Sequence, residues 1–202
     1  DTIIFSPITC HGANDGYILG NGIYAFGGTQ PYLYSLDGLG YHAHPINLPN
    51  LTPGVHTVEV LDSNNCAAQD IIIVTEPNPI YVTITTSAIT EPWNGYEVKC
   101  HGDSNGTANI SINGGTGPYT TIVLDVLLDT IHNTTSNTIT GLPAGMYHFH
   151  IIDVNECLYE ETIIYQEPTA ITHSFVIDYV TCTGWSNGSI TWNGSGGVGS
   201  AT

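Results

Sequence analysis

Cysteines, histidines and paired Asp and Asn residues are the groups in this 202-residue chain whose types and spacing could do chemistry. The five cysteines fall into two kinds. Cys10, Cys100 and Cys182 each open a phrase Cys-x-Gly-x-x-x-Gly, read as CHGANDG, CHGDSNG and CTGWSNG. Cys66 and Cys157 each end a phrase Asp-x-Asn-x-Cys. Equivalent positions in two copies, in a chain of extracellular-looking composition, predict disulfides. Pairing Cys10 with Cys66 and Cys100 with Cys157 closes similar loops and leaves Cys182 unpaired. Each such loop adds roughly 4 kcal/mol in chain-entropy terms. The other reading of these cysteines is free buried thiols.

Two His-x-His pairs, His42/His44 and His148/His150, would set both imidazoles on one face of a strand, a spacing able to chelate a transition metal. No third ligand is evident, so a solvent-facing strand is the better reading. Asp62 with Asn64, and Asp153 with Asn155, offer hard oxygen ligands for calcium. The same residues are what a tight turn needs to hold backbone amides, so turn comes first and calcium second. Trp93, beside Pro92 and Asn94, is the candidate contact residue for a surface glycan, whereas Trp192 alternates with Ile190 and is expected in the core. Glu160 and Glu161 are adjacent and would point to opposite faces of a strand, which defeats a paired-carboxylate mechanism. No Ser, His and Asp set sits in a recognisable elbow, and the chain reads as no enzyme.

Composition excludes further classes. A single Lys or Arg stands against 18 Asp and Glu, for a net charge of −17. Phosphate backbones and anionic headgroups both demand clustered basic residues, so neither nucleic acid nor a membrane surface is an expected partner. No run has the length of a membrane-spanning helix. Asp1 carries neither an initiator Met nor a signal sequence, and the chain is expected to be a mature or excised piece of a longer protein.

The elements that must position these groups repeat along the chain. After each opening Cys comes a short strand and a glycine pair, Gly27-Gly28-Thr29-Gln30-Pro31-Tyr32 in the first copy and Gly114-Gly115-Thr116-Gly117-Pro118-Tyr119 in the second. The third copy, Gly196-Gly197-Val198-Gly199-Ser200-Ala201, keeps the glycines and loses the Pro-Tyr. Leu51-Thr52-Pro53-Gly54 and Leu142-Pro143-Ala144-Gly145 then lead into the strands that end at Cys66 and Cys157, and both copies close on Glu-Pro. Three modules result: 1–77, 78–168 with an insertion near 89–96, and the start of a third over 169–202.

Period-two alternation runs through the copies. Ala108, Ile110 and Ile112 alternate with polar residues, as do Tyr147, Phe149 and Ile151, matched by His56, Val58 and Val60. Short strands, Gly and Pro turns and modules of this size predict an all-β protein of tandem immunoglobulin-like β-sandwiches in an elongated array. Tyr147, just after the Gly145 turn, is expected to act as a corner tyrosine.

The ordered phrases Cys-x-Gly-x-x-x-Gly, Gly-Gly-Thr-x-Pro-Tyr, Leu-Pro-x-Gly-x-Tyr and Asp-x-Asn-x-Cys resemble the SprB-type repeat of bacterial gliding-motility adhesins. The resemblance implies a very long secreted or cell-surface protein of Bacteroidota, exported by the type IX system and built from tandem Ig-like modules. It implies stalk or display units and supplies no ligand; the expected partners are neighbouring modules or copies of the same chain, with surface glycans as the further candidate through Trp93. It also makes Thr2 and Thr130, each in an Asp-Thr-hydrophobic phrase, candidates for O-glycosylation. The expected function is a non-enzymatic structural or adhesive array forming a stalk or fibre. The alternative is a set of carbohydrate- or calcium-binding modules, accessory to a large secreted enzyme.

Overall fold

The computed structural model describes residues 5–18, 23–43, 48–87 and 95–198. Trp93, Thr2 and His44 lie outside the described residues, as does most of the insertion. Every regular element among the described residues is a β-strand, and no helix is long and apolar enough to cross a membrane.

The first repeat folds as strands β1 (Phe5–Ser6), β2 (Gly16–Ile18), β3 (Leu33–Leu36), β4 (His42–Ala43), β5 (Leu48–Leu51), β6 (Gly54–Leu61) and β7 (Ala67–Val74). They form two sheets, ordered β1-β2-β5 and β4-β3-β6-β7. Both sheets supply the core: Ile18 and Leu51 from one, Tyr34, Leu36, Val58, Ile72 and Val74 from the other, joined by Ile8 and Ile23. The antiparallel pairing of β6 with β7 runs unbroken from Gly54 opposite Val74 to Leu61 opposite Ala67.

The second repeat uses the same order. Its strands are β8 (Tyr81–Thr86), β9 (Gly106–Asn113), β10 (Thr120–Leu124), β11 (Thr130–Thr134), β12 (Thr138–Leu142), β13 (Gly145–Ile152) and β14 (Leu158–Tyr165). The sheets are β12-β9-β8 and β11-β10-β13-β14. Seven strands in two antiparallel sheets are the expected Ig-like sandwich. In a constant-type immunoglobulin domain the fourth strand joins the sheet of the first two; here β4 and β11 pair with β3 and β10 instead. The predicted alternation is present: Ala108 and Ile110 are buried between exposed Asn109 and Ser111, and Tyr147, Phe149 and Ile151 are all buried.

Tyr147 is a corner tyrosine, its hydroxyl donating to the Pro143 carbonyl at 3.0 Å while its ring meets Tyr165 edge-on at 5.5 Å. Tyr165 in turn donates to the Thr107 carbonyl, and burial pushes its phenol well above the usual range.

The third copy contributes only a hairpin, β15 (Thr172–Asp178) paired with β16 (Ser189–Ser195), with Phe175 opposite Trp192 and Ile177 opposite Ile190. These strands correspond to β8 and β9. Trp192 was expected in a core, but it is 50% exposed and Ile190 70%, because among the described residues no second sheet covers this hairpin.

The chain divides into two compact units whose borders differ from the repeat borders. The first comprises residues 1–81, 113–119 and 152–158; the second comprises 82–112, 120–151 and 159–202. The tip of the β13–β14 hairpin and the glycine pair of the second repeat thus belong with the first repeat.

Candidate functional site at the repeat ends

The opening phrase builds one turn three times. The amides of Ala13, Asp103 and Trp185 donate to the carbonyls of Cys10, Cys100 and Cys182 at 3.0, 3.0 and 3.1 Å. A side-chain oxygen from Asp15, Asn105 or Asn187 accepts the amide just ahead of each cysteine. At Asp15 the Thr9 hydroxyl and amide hold the carboxyl below its usual range. The first glycine of the phrase lies at φ 75° (Gly12), 81° (Gly102) and 87° (Gly184), a left-handed conformation that a Cβ would strain. The last glycine is required by close approach: a Cβ on Gly106 would stand 2.6 Å from the Leu142 carbonyl oxygen and 2.8 Å from the Tyr165 ring.

The first two opening turns are each capped from the end of their own repeat. Glu76 accepts the Gly12 amide at 2.7 Å and pairs with His11 at 3.3 Å; Glu167 accepts the Gly102 amide at 2.7 Å and pairs with His101 at 2.7 Å. The glutamate of the closing Glu-Pro therefore ties down the opening phrase. In the sequence that dipeptide reads only as the close of each copy, although it recurs at the same distance after the closing cysteine, Cys66 to Glu76 and Cys157 to Glu167.

The Asp-x-Asn-x-Cys phrase is the tip of the last hairpin. Asp62 Oδ1 accepts the amides of Asn64 and Cys66 at 2.8 and 2.9 Å, and its Oδ2 accepts the Thr29 amide at 3.0 Å. Asp153 repeats the arrangement with Asn155, Cys157 and Thr116 at 2.8, 3.0 and 2.8 Å. The Cys66 amide draws the Asp62 carboxyl down; burial, the next largest effect, pushes it up, and the amides of Thr29 and Asn64 tip the balance so that it stays below its usual range. These carboxylates anchor a turn and lock it to the glycine-pair loop. Among the described residues no three His, Cys, Asp or Glu side chains converge in a way that could hold a metal.

The disulfide corrects the expected pairing. Cys10 is bonded to Cys157, with the two Cα atoms 5.6 Å apart, and Cys66 and Cys100 are exposed free thiols, as is Cys182. Cys66 immediately precedes β7, whereas the Cys10 turn is held at the other end of that strand, where the Ile8 amide donates to the Thr75 carbonyl and Gly12 to Glu76. An eight-residue strand is about 27 Å long, and a disulfide spans at most about 7 Å between Cα atoms. The same holds for Cys157 and the Cys100 turn at opposite ends of β14, since Glu167 caps the latter. Cys10 thus meets the closing cysteine of the following repeat, not of its own. The Asn155 side-chain amide adds a hydrogen bond to the Thr9 carbonyl at 3.2 Å beside the bond. Around it Pro77, Pro79, Ile80, Gly115 and Glu156 line a cleft.

The remaining candidates fall elsewhere. His148 and His150 face neighbours on β14, Thr162 at 2.9 Å and Glu160 at 3.2 Å, and His42 is exposed on β4. Glu160 and Glu161 do part: Glu160 meets His150 while Glu161 accepts the Tyr159 hydroxyl. Thr130 is exposed at the start of β11. Sequence reading missed Asp37, which faces His56 across the first repeat's corner at 2.7 Å; only the substitution of His for Tyr at that corner signals it.

Comparison with known proteins bears on this arrangement. The SprB repeat family matches residues 97–120, the stretch that runs from the second opening turn through β9 to the glycine-pair loop. Comparison with curated protein sequences finds no match. Among solved structures, the chain is similar to a C-terminal fragment of intimin in complex with the intimin-binding domain of the translocated intimin receptor, at 15% identity and a TM-score of 0.44 over 86% of this chain and 66% of that one. It is also similar to three N-terminal domains of the outer capsid protein Hoc of bacteriophage RB49, at 12% identity and a TM-score of 0.49 over 99% and 69%. Domains 3 and 4 of rat CD4 match at 13% identity and a TM-score of 0.28 over 65% and 64%. The chain spans about two thirds of the length of these structures.

Proposed function

We propose that this chain is part of a cell-surface array of stapled SprB-type repeats that serves as an extended stalk or fibre and carries no catalytic activity of its own. The observation that carries the reading is the Cys10–Cys157 bond, because it runs from the opening turn of one repeat to the closing hairpin of the next. A protein that displays a binding surface away from a cell must resist being pulled apart at its linkers. In the chain-entropy model, closing 147 residues adds about 5 kcal/mol. Under tension the bond also bypasses everything between the two cysteines. A surface with a single Lys or Arg and rich in Thr, Asn and Ser suits an extracellular setting, and the SprB resemblance supports export by the type IX system of Bacteroidota as part of this reading.

Pulling single molecules from their two termini tests the reading. With the disulfide intact, the segment from Cys10 to Cys157 stays out of the force path, and reductant adds roughly 500 Å of extension. The same extension with and without reductant contradicts a stapled array.

A further inference from the structure

The three copies of the glycine-pair loop are alike in sequence and differ in what lies against them. In the second repeat, a Cβ on Gly114 would stand 2.0 Å from the Pro79 carbonyl oxygen and one on Gly115 would stand 2.7 Å from the Ile80 side chain. In the third, Gly196 faces the Ala170 carbonyl oxygen at 2.0 Å and Gly197 faces the Ile171 side chain at 3.1 Å. The amides of Gly115 and Gly197 donate to the carbonyls of Asn78 and Thr169, both at 2.8 Å. In both copies the linker from the preceding repeat lies on the glycine pair.

The first repeat has the same loop, and none of the described residues lies on it as a linker does in the other two copies. A Cβ on Gly27 would meet no atom within 4 Å, and the Gly28 amide has no such acceptor among the described residues. A cleft of about 250 Å³ opens there, with Ile23, Ala25, Phe26 and Val60 on its apolar side, Asp62, Gln69 and Asp70 on its polar side, and Cys66 at its edge. Phe26 is 80% exposed at its rim. Cys66 is the counterpart of Cys157, the residue that receives an opening cysteine, yet it is a free thiol. Two independent features, an uncovered glycine-pair cleft and an unbonded closing cysteine, therefore mark the same end of the first repeat.

We propose that this end is the docking site for a preceding repeat of the same polypeptide, whose linker fills the cleft and whose opening cysteine forms a disulfide with Cys66. The occupant is a repeat end of the chemistry seen at Glu76–Ile80 and Glu167–Ile171: a glutamate-proline pair, a carbonyl for the Gly28 amide and an isoleucine for the cleft. A second copy of this chain is a poorer occupant, because its own 169–171 linker already lies on its third glycine pair. By the same rule Cys100 waits for the closing cysteine of a third repeat. Bond formation is thiol–disulfide exchange: an extracytoplasmic dithiol-disulfide oxidant accepts two electrons and two protons, becoming a dithiol, as the two thiols become one disulfide. The inference rests on the stapled-array reading and extends it to every repeat junction.

The test is a chain with residues 1–172 duplicated ahead of Asp1, which reproduces at the new junction the spacing from Pro168 to Cys182. After oxidative folding, a peptide map taken without reductant is expected to link Cys66 of the trailing copy to Cys100 of the leading copy. Exchange of the trailing Gly28 amide is expected to slow about tenfold or more against the single chain. Alkylation of the trailing Cys66 by iodoacetamide in the folded chain, or a bond from it to Cys10, overturns the proposal. The same map on protein taken from its own cells decides the question without the duplication: Cys66 bonded to the cysteine of another opening phrase supports it, and a free Cys66 overturns it. Loss of the Cys10–Cys157 bond from either map contradicts the array reading itself, whereas failure of the docking proposal leaves that bond in place.

Discussion

Tyr147 and His56 hold the same corner in successive repeats with different chemistry: the Tyr147 hydroxyl donates to the Pro143 carbonyl at 3.0 Å, and His56 Nε2 to the Thr52 carbonyl at 2.8 Å. The corner needs a donor at that carbonyl, and either ring reaches it. The histidine has a second nitrogen to satisfy, and Asp37 accepts from it. Replacing Tyr147 by Phe removes the hydrogen bond that ties the start of β13 to the Pro143 carbonyl. The expected loss is about 1 to 2 kcal/mol of stability, read from urea unfolding; an unchanged midpoint contradicts the corner's role.

The first repeat's corner depends on pH and the second's does not. The Thr52 carbonyl, then the Asp37 carboxylate, raise the His56 pKa above its usual value, with burial opposing. At Asp37 burial pushes upward but is outweighed by the His56 hydrogen bond, the Thr57 amide and the His56 charge, so its pKa falls. A raised histidine stabilises fully below its unfolded value and loses that stabilisation as pH rises through its folded value. A depressed aspartate stabilises above its unfolded value and loses it as pH falls through its folded one. The pair is thus most stabilising between roughly pH 4 and 6.5. Proton NMR titration of the His56 ring is expected to give a pKa above that of a free histidine, and His56→Tyr to remove the decline in stability towards pH 8. A His56 titration below the free value contradicts the pairing.

Asp153 accepts three amides and is buried, so Asp153→Ala is expected to cost about 1 to 3 kcal/mol or more and to loosen the hairpin that carries Cys157. Because its oxygens already face amides, millimolar calcium is expected to leave the thermal midpoint of the wild-type chain where it is. A saturable rise in that midpoint, absent in the Asp153→Ala chain, contradicts this assignment and restores the calcium site.

Gly114 lies at φ 79° with the Pro79 carbonyl oxygen 2.0 Å from where a Cβ would sit. Gly114→Ala combines left-handed strain with displacement of the linker, and a loss of about 2 kcal/mol or more is expected in chemical unfolding. The matching Gly27→Ala change meets no neighbour within 4 Å and is expected to cost only the conformational strain. Equal losses at the two positions contradict the role given to the linker.

Much of this was legible in the sequence. The repeat showed in the recurring Cys-x-Gly-x-x-x-Gly phrase, the sandwich in the alternation around Ala108 and Phe149, and the turn in Asp62 and Asp153, because each is a local pattern with a local cause. The disulfide partner was not legible in the same way. Two cysteines in each repeat look like a pair until the length of β7 is set between Cys66 and the turn that Glu76 caps; then they stand at opposite ends of the sandwich. Asp37 escaped notice because its partner, His56, stands where the second repeat has a tyrosine that needs no carboxylate. Trp192 was expected inside because alternation reports which face is apolar, not whether anything covers it.

The most direct measurement is a disulfide map of the 202-residue chain, folded in an oxidising buffer, alkylated, and digested without reductant by a protease that cuts at aromatic and leucine residues, since Lys and Arg are nearly absent. The account predicts one cross-linked pair, Cys10 with Cys157, and alkylated Cys66, Cys100 and Cys182. Cross-links of Cys10 to Cys66 and of Cys100 to Cys157 would contradict it, because each repeat would then be closed on itself with no disulfide to the next.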